Sequence, residues 1–272
     1  MLPSNSISAQ GDAASLPHLI RFYSGEGKPT LLSWENGEVS TLQLQQKKGE
    51  DINFGRRACI GFRSPDGYLP CVNRAIHVRQ CPTCIARDMA KAYTVGDFSG
   101  FPQLYERAKT EEYCLYLAGF GQDILKCGVT RKERFEERMR EQGADFGCIV
   151  ATYTGPDEIY AAEHALQYRF NFANAVRLAQ KMRNLVFDKS AAWENFKSSV
   201  EMVRTSGVLP DFTPSPLDFS SHYPRLHSPQ VTDSVLGEIL GAKGEILLFK
   251  SEGGREFAVN MREKVGSFYE RK

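Results

Sequence analysis

The chain reads as an α+β protein with antiparallel sheets, and three features predict it. Two apolar runs, 31–35 and 39–44, flank Asn36-Gly37, a pair suited to a tight hairpin because both central turn positions need positive φ. Residues 112–153 read apolar run, glycine-marked turn, apolar run, charged helix, apolar run. Between these regions, residues 56–92 hold four of the seven cysteines, which suggests a small unit held together at its thiols.

Along the chain, residues 1–16 are small and polar and are expected to be disordered. A β-rich segment follows over 17–55, then the cysteine segment over 56–92. Residues 110–205 form an αβ module with helices at its C-terminal end. In it, strands at 114–118 and 124–129 meet at a turn marked by Gly119 and Gly121, and a further strand covers 148–153. Pro156 suits the first helical position, and Asp157 and Glu158 complement the helix dipole, so a helix is expected to about Phe170. Val176, Ala179, Met182, Arg183 and Val186 fit a helix at 3.6 spacing; Trp193, Phe196, Val200 and Val203 fit another, closed by Gly207. Residues 206–230 contain five prolines and read as an extended linker. A small β-rich segment over 231–272 resumes with strands at 235–240, 246–249 and 256–259, the first two joined by a 241–244 turn; pairing of the β segments at the two ends into one sheet or barrel is an option that the spacing does not decide.

Composition narrows the function. With 42% hydrophobic residues among 272, the chain can bury a real core, and a net charge of +1 gives no global basic field. Any nucleic-acid partner must therefore be held by local charge. No signal-peptide pattern and no membrane-spanning run is visible, so a cytoplasmic location without membrane attachment is expected. In that compartment cysteines serve as thiols or metal ligands rather than disulfides.

Cys81-Pro-Thr-Cys84 has the spacing of a metal knuckle: both thiolates reach one tetrahedral ion while backbone amides point at the sulfurs. Cys59 and Cys71 would supply the other ligands of a structural zinc, although eleven residues separate them. A redox Cys-x-x-Cys and a set of unrelated buried thiols are the rival readings, and His77 could replace Cys59 or Cys71. Four thiolates leave no open position, so such an ion would hold structure and not catalyse. Cys114, Cys127 and Cys148 fall in expected strands and read as core.

The sequence Cys114-Leu115-Tyr116, followed after a short gap by Lys126-Cys127-Gly128, resembles the paired motifs of the GIY-YIG nuclease superfamily. Members place an arginine on the next helix and a glutamate on a later one; Arg138 and Glu163 match. This resemblance covers roughly residues 112–170. It implies a GIY-YIG-like module, an antiparallel sheet with flanking helices, and a site of Tyr116, Lys126, Arg138 and Glu163. Lys126 departs from the pattern, because many members carry a second tyrosine there. Over most of its length the chain is also similar to a prokaryotic domain-of-unknown-function family that joins a four-cysteine cluster to such a module and a β-rich tail.

The residue types suit phosphodiester chemistry. A guanidinium gives paired charge-assisted hydrogen bonds to phosphate oxygens. A hard cation such as Mg²⁺ or Mn²⁺ needs few protein carboxylates and keeps several waters. A phenol can position such a water. Ile159, Leu166 and Phe170 mark the buried stripe of their helix, and Glu163 shares it, so this carboxylate should turn inward and need an ion, a partner or a raised pKa. A buried salt bridge to Arg138 or Arg134 would satisfy it equally. Arg177, Lys181 and Lys189 form a basic stripe that a solvated helix face explains, and Phe101, Tyr105, Phe120, Tyr153 and Tyr160 read as core rather than as a base-stacking platform. The function expected is a metal-dependent endonuclease on DNA or RNA. The alternatives are a nucleic-acid-binding protein that has lost cleavage and a structural adaptor; protein partners are not legible.

Overall fold

A computed structural model describes residues 16–25, 28–44, 50–173 and 175–272. The segment expected to be disordered lies outside these residues except for its last position.

Fifteen strands and eight helices are described. The N-terminal part supplies β1 (His18–Tyr23), β2 (Thr30–Glu35), β3 (Glu38–Gln43) and β4 (Glu50–Arg57). Asn36 and Gly37, at φ 52° and 87°, make the expected turn between β2 and β3. The cysteine segment contains a short hairpin, β5 (Phe62–Ser64) and β6 (Gly67–Leu69), then α1 (Pro82–Arg87). Two short helices, α2 (Ala90–Val95) and α3 (Pro102–Ala108), lead into β7 (Glu112–Phe120), β8 (Ile124–Arg131), α4 (Phe135–Gln142), β9 (Phe146–Thr154) and α5 (Asp157–Phe170). Pro156 is the residue before α5 rather than its first helical position.

The helix expected over 176–186 is shorter: α6 covers Leu178–Arg183 only. Asn184 leaves helical geometry where it packs against the Gly121 turn, and Val186 is 50% exposed. Asp188 then caps α7 (Lys189–Thr205) by accepting from the amides of Ser190 and Ala191. As expected, α7 buries Phe196, Val200 and Val203 and is followed by a left-handed Gly207.

The proline-rich stretch is not wholly free of sheet. It holds β10 (Leu217–Asp218), paired to β9, and is followed by β11 (Gln230–Thr232). The tail forms β12 (Val235–Lys243), β13 (Ile246–Lys250), β14 (Glu256–Asn260), α8 (Met261–Lys264) and β15 (Ser267–Arg271). Gly241 is not a turn residue as the sequence suggests. It lies within β12 at a bulge, and the turn is confined to the residues around Gly244.

Two main sheets result. Nine strands, in the order β11-β14-β13-β12-β4-β15-β1-β2-β3, join the two β-rich ends of the chain, all antiparallel except β11 with β14. Leu19, Leu31, Ile52, Ile239, Leu247 and Val259 lie in its core. The second sheet, β10-β9-β7-β8, is antiparallel and packed on both faces. On one face Tyr116, Ala118 and Phe120 meet Phe135 and Met139 of α4; on the other, Leu115 and Leu117 meet Ile159 and Leu166 of α5 and Phe196 of α7. The alternation of side chains along β7 produces this division.

The sheets touch where the end of α4 meets the β12–β13 turn. Gly143 and Gly244 are both left-handed there, and a Cβ on either would come within 3 Å of the other segment's backbone. Beside them Lys243 Nζ donates to both carboxylate oxygens of buried Asp145, at 2.7 and 2.8 Å.

Candidate functional site

The β7–β8 hairpin sets the site. Tyr116 stands opposite Gly128 in the register, and period-two alternation puts Lys126 on the same face. A Cβ on Gly128 would lie 2.5 Å from the Tyr116 hydroxyl, so the glycine is what lets the phenol cross the neighbouring strand. The tyrosine ring rests against Phe135, centroids 6.1 Å apart, and the side chain is fully buried.

Gln142, the last residue of α4, ties the polar groups together. Its Nε2 donates to Tyr116 Oη at 2.8 Å, and its Oε1 accepts from Lys126 Nζ at 2.8 Å. Its backbone carbonyl accepts from Lys181 Nζ at 2.7 Å. Arg138, one turn earlier on α4, lies beside the Tyr116 hydroxyl. Its Nη1 also pairs with Glu141 Oε2 at 3.1 Å, a carboxylate that Arg134 and Arg21 reach at 3.0 and 3.3 Å.

Glu163 approaches from α5 under the edge strand β8, where its carbonyl faces the Cys127 thiol. Among the described residues it makes no ion pair. The charges acting on it are those of Lys126 and His164, and burial pushes its carboxyl above the usual range. The salt bridge that sequence offers as an alternative is absent there, because Arg134 and Arg138 turn to Glu141 instead.

Burial moves the other groups as well. It raises the Tyr116 phenol against the opposing field of Arg138. Burial first, and Arg138 second, bring Lys126 down to about 8. Lys181 falls to about 7, again mainly through burial and then through Lys126. Removing a cation from water disfavours its charged form, and a second cation nearby adds to that. Two ammonium groups therefore share one glutamine, with no carboxylate paired to either among the described residues.

Tyr116, Lys126, Arg138 and Glu163 are thus brought into one neighbourhood, the tyrosine in a closed position and the other three partly open. Sequence reasoning missed Gln142, although it lies at i+4 from Arg138 on the same helix face. Lys181 is a correction: it is not part of a solvated stripe but is half-buried, with Nζ 4.5 Å from the Phe120 ring centre. Arg177 and Lys189 are exposed as expected, and Lys189 pairs with Asp218. A cavity of about 650 Å³ opens between Phe135, Ile149, Phe212 and Leu217, and none of the four site residues lines it.

The cysteine segment forms a separate centre. The sulfurs of Cys59, Cys71, Cys81 and Cys84 all lie within 4.8 Å of one another, close enough to bind a metal ion. Cys71 and Cys81 Sγ are 3.8 Å apart, and tetrahedral thiolates at the usual zinc–sulfur bond length stand about 3.8 Å apart. Cys59 Sγ accepts from the Cys81 amide at 3.2 Å. The backbone amide of Cys84, first among several donors, draws the Cys81 thiol down to about 7, while burial drives Cys84 up. His77 is exposed and does not join the cluster. Cys114, Cys127 and Cys148 are fully buried in strands.

Fold and site together define a mixed α+β protein that couples a four-cysteine centre to a helix-flanked antiparallel sheet carrying a buried tyrosine and converging cations. The family model described as "Protein of unknown function (DUF2797)" matches residues 55–268, and the chain belongs to that family. No curated protein and no solved structure matches the chain. Among the described residues, no helix is long and apolar enough to cross a membrane.

Proposed function

We propose that Tyr116, Lys126, Arg138 and Glu163 form a metal-dependent phosphodiesterase centre of GIY-YIG type that cuts DNA or RNA, and that zinc is the ion of the four thiols. The observation that carries the reading is the convergence of a phenol, two cations and one carboxylate without an ion pair, contributed by β7, β8, α4 and α5.

In this reading Arg138 uses the donors that Glu141 leaves free to hold phosphate oxygens. Lys126 adds a point charge at the same phosphate. Glu163 is the ligand for Mg²⁺ or Mn²⁺, which when bound supplies a polarised water and offsets charge on the phosphate. Tyr116 accepts from Gln142 and keeps its own proton to orient an oxygen at the reacting centre. Zinc suits four thiolates with no open position and serves only to hold the segment.

A second reading has its own support. Lys126 stands where many members of the superfamily have a tyrosine, and its charge acts on Glu163. An ammonium there can do the work of the divalent ion electrostatically, leaving a pocket that grips phosphate without cutting it. Purified protein incubated with DNA and RNA, with Mg²⁺ or Mn²⁺ present or absent, separates the two. Cleavage that disappears in Glu163→Gln while folding survives supports the enzyme. Salt-sensitive binding without cleavage, weakened by Arg138→Ala and Lys126→Ala, supports the binding protein. A protein that neither cuts nor binds overturns both.

A further inference from the structure

The cysteine segment carries charge that its thiols do not use. Between residues 56 and 88 six arginines stand against two carboxylates, Asp66 and Asp88, in a chain whose net charge is only +1. Arg56, Arg57, Arg63, Arg74, Arg79 and Arg87 are all exposed. None of them makes an ion pair among the described residues, whereas Arg131, Arg134, Arg138, Arg140 and Arg204 of the module do. Asp88 is already occupied by the Gln80 side chain at 2.7 Å and the Ala90 amide at 3.0 Å.

Several of these guanidinium groups are held in place. Arg87 lies 4.3 Å over the Phe62 ring and Arg56 5.3 Å over Phe268. Arg79 sits near both Arg262 and Arg57, and Glu245, which is 4.0 Å from Arg262, offsets part of that crowding of like charge. Val72 and Ile76, on either side of Arg74, are 71% and 61% exposed. Crowded cations cost stability, and that cost is offset when a polyanion binds. The choice of arginine throughout, with no lysine in this stretch, matches paired donation to phosphate. The surface also connects to the Tyr116 region: Tyr68 of β6 lies beside Arg21, which pairs with Glu141, the partner of Arg138.

We infer that the cysteine segment is the anchoring surface for nucleic acid, its outward arginines gripping the phosphate backbone without reading sequence while the Tyr116 region acts on the same molecule. The inference rests on the nucleic-acid reading of the function but not on cleavage. Zinc would fix the loops that present the arginines.

The test uses the full metal-loaded chain carrying Glu163→Gln, with labelled double-stranded DNA, single-stranded DNA and double-stranded RNA titrated at several salt concentrations. Affinity should fall steeply and linearly on a log–log salt plot. A quadruple Arg57→Ala, Arg74→Ala, Arg79→Ala, Arg87→Ala variant should lower that slope by about 3–4, roughly one per lost phosphate contact. Single Arg57→Ala and Arg74→Ala variants should each lower it by about one, which covers the case where the quadruple variant fails to fold. Arginine-to-lysine versions should recover most of the slope. An unchanged slope in variants that retain their metal, or no binding of any of the three nucleic acids, overturns the inference. If the wild-type chain binds through these arginines yet never cleaves, the nuclease reading fails and this one stands.

Discussion

The phenol of Tyr116 lies across the bare Cα of Gly128, its partner on the adjacent strand, leaving no room for a methyl group between them. Tyr116 cannot retreat, because Phe135 backs its ring and Gln142 holds its hydroxyl. Gly128→Ala should therefore displace the phenol and destabilise the fold by about 1–3 kcal/mol. Denaturant midpoints measure this cost, and cleavage or nucleic-acid affinity should fall with it. A variant as stable and as active as the parent would show that the hydroxyl position is unimportant.

Lys243 and Asp145 form a buried pair that joins the nine-stranded sheet to the module. Burial pushes the Asp145 carboxyl up, and Lys243 opposes that. Lys243→Met should cost about 3–5 kcal/mol by leaving the carboxylate buried without its counter-ion, held only by the Gly121 amide at 2.7 Å. Adding Asp145→Asn should restore part of the loss, since the stranded charge is then gone. The four members of this double-mutant cycle, unfolded in denaturant, give the coupling directly.

His18 is buried, with Nε2 2.9 Å from the Gly266 carbonyl and 3.1 Å from that of Ala58. Burial holds its imidazole below the ordinary 6.5 despite those carbonyls. Below 6.5 the unfolded chain therefore binds more protons than the folded one. Stability should be full above 6.5 and decline as pH falls from there through the lower folded value. His18→Gln, which keeps an N–H donor, should flatten that part of the stability–pH curve. A parental curve without a decline in this window would contradict the burial argument.

Metal analysis of purified protein should find about one zinc per chain, and Cys84→Ser should lower that sharply. Chelation should expose the segment around the four thiols to protease while the rest of the chain stays resistant. Full metal content in the Cys84→Ser protein would assign the ion elsewhere.

Much of the local structure was legible from residue pattern. Asn36-Gly37 marked its hairpin because few residues accept positive φ in succession. The spacing of Phe196, Val200 and Val203 marked α7, and the knuckle at Cys81 marked the thiol cluster. Errors arose where a distant contact decided the outcome. The packing of Gly121 on Asn184 shortened α6, and a bulge beside β13 kept Gly241 in its strand. Lys181 looked like a surface cation because nothing near it in sequence announces the Gln142 carbonyl or the Phe120 ring that receive it.

By itself, the sequence determined that the protein would be α+β, that four thiols would gather, and that the runs carrying Tyr116 and Lys126 would form a hairpin. These follow from short-range rules of turn geometry, side-chain alternation and ligand spacing. Only the tertiary structure decided that Gln142 would link Tyr116 to Lys126, that Glu141 rather than Glu163 would take the arginines, and that both ends of the chain would share one sheet. Such pairings depend on which distant groups are brought together as water is excluded, and that information is spread over the whole chain.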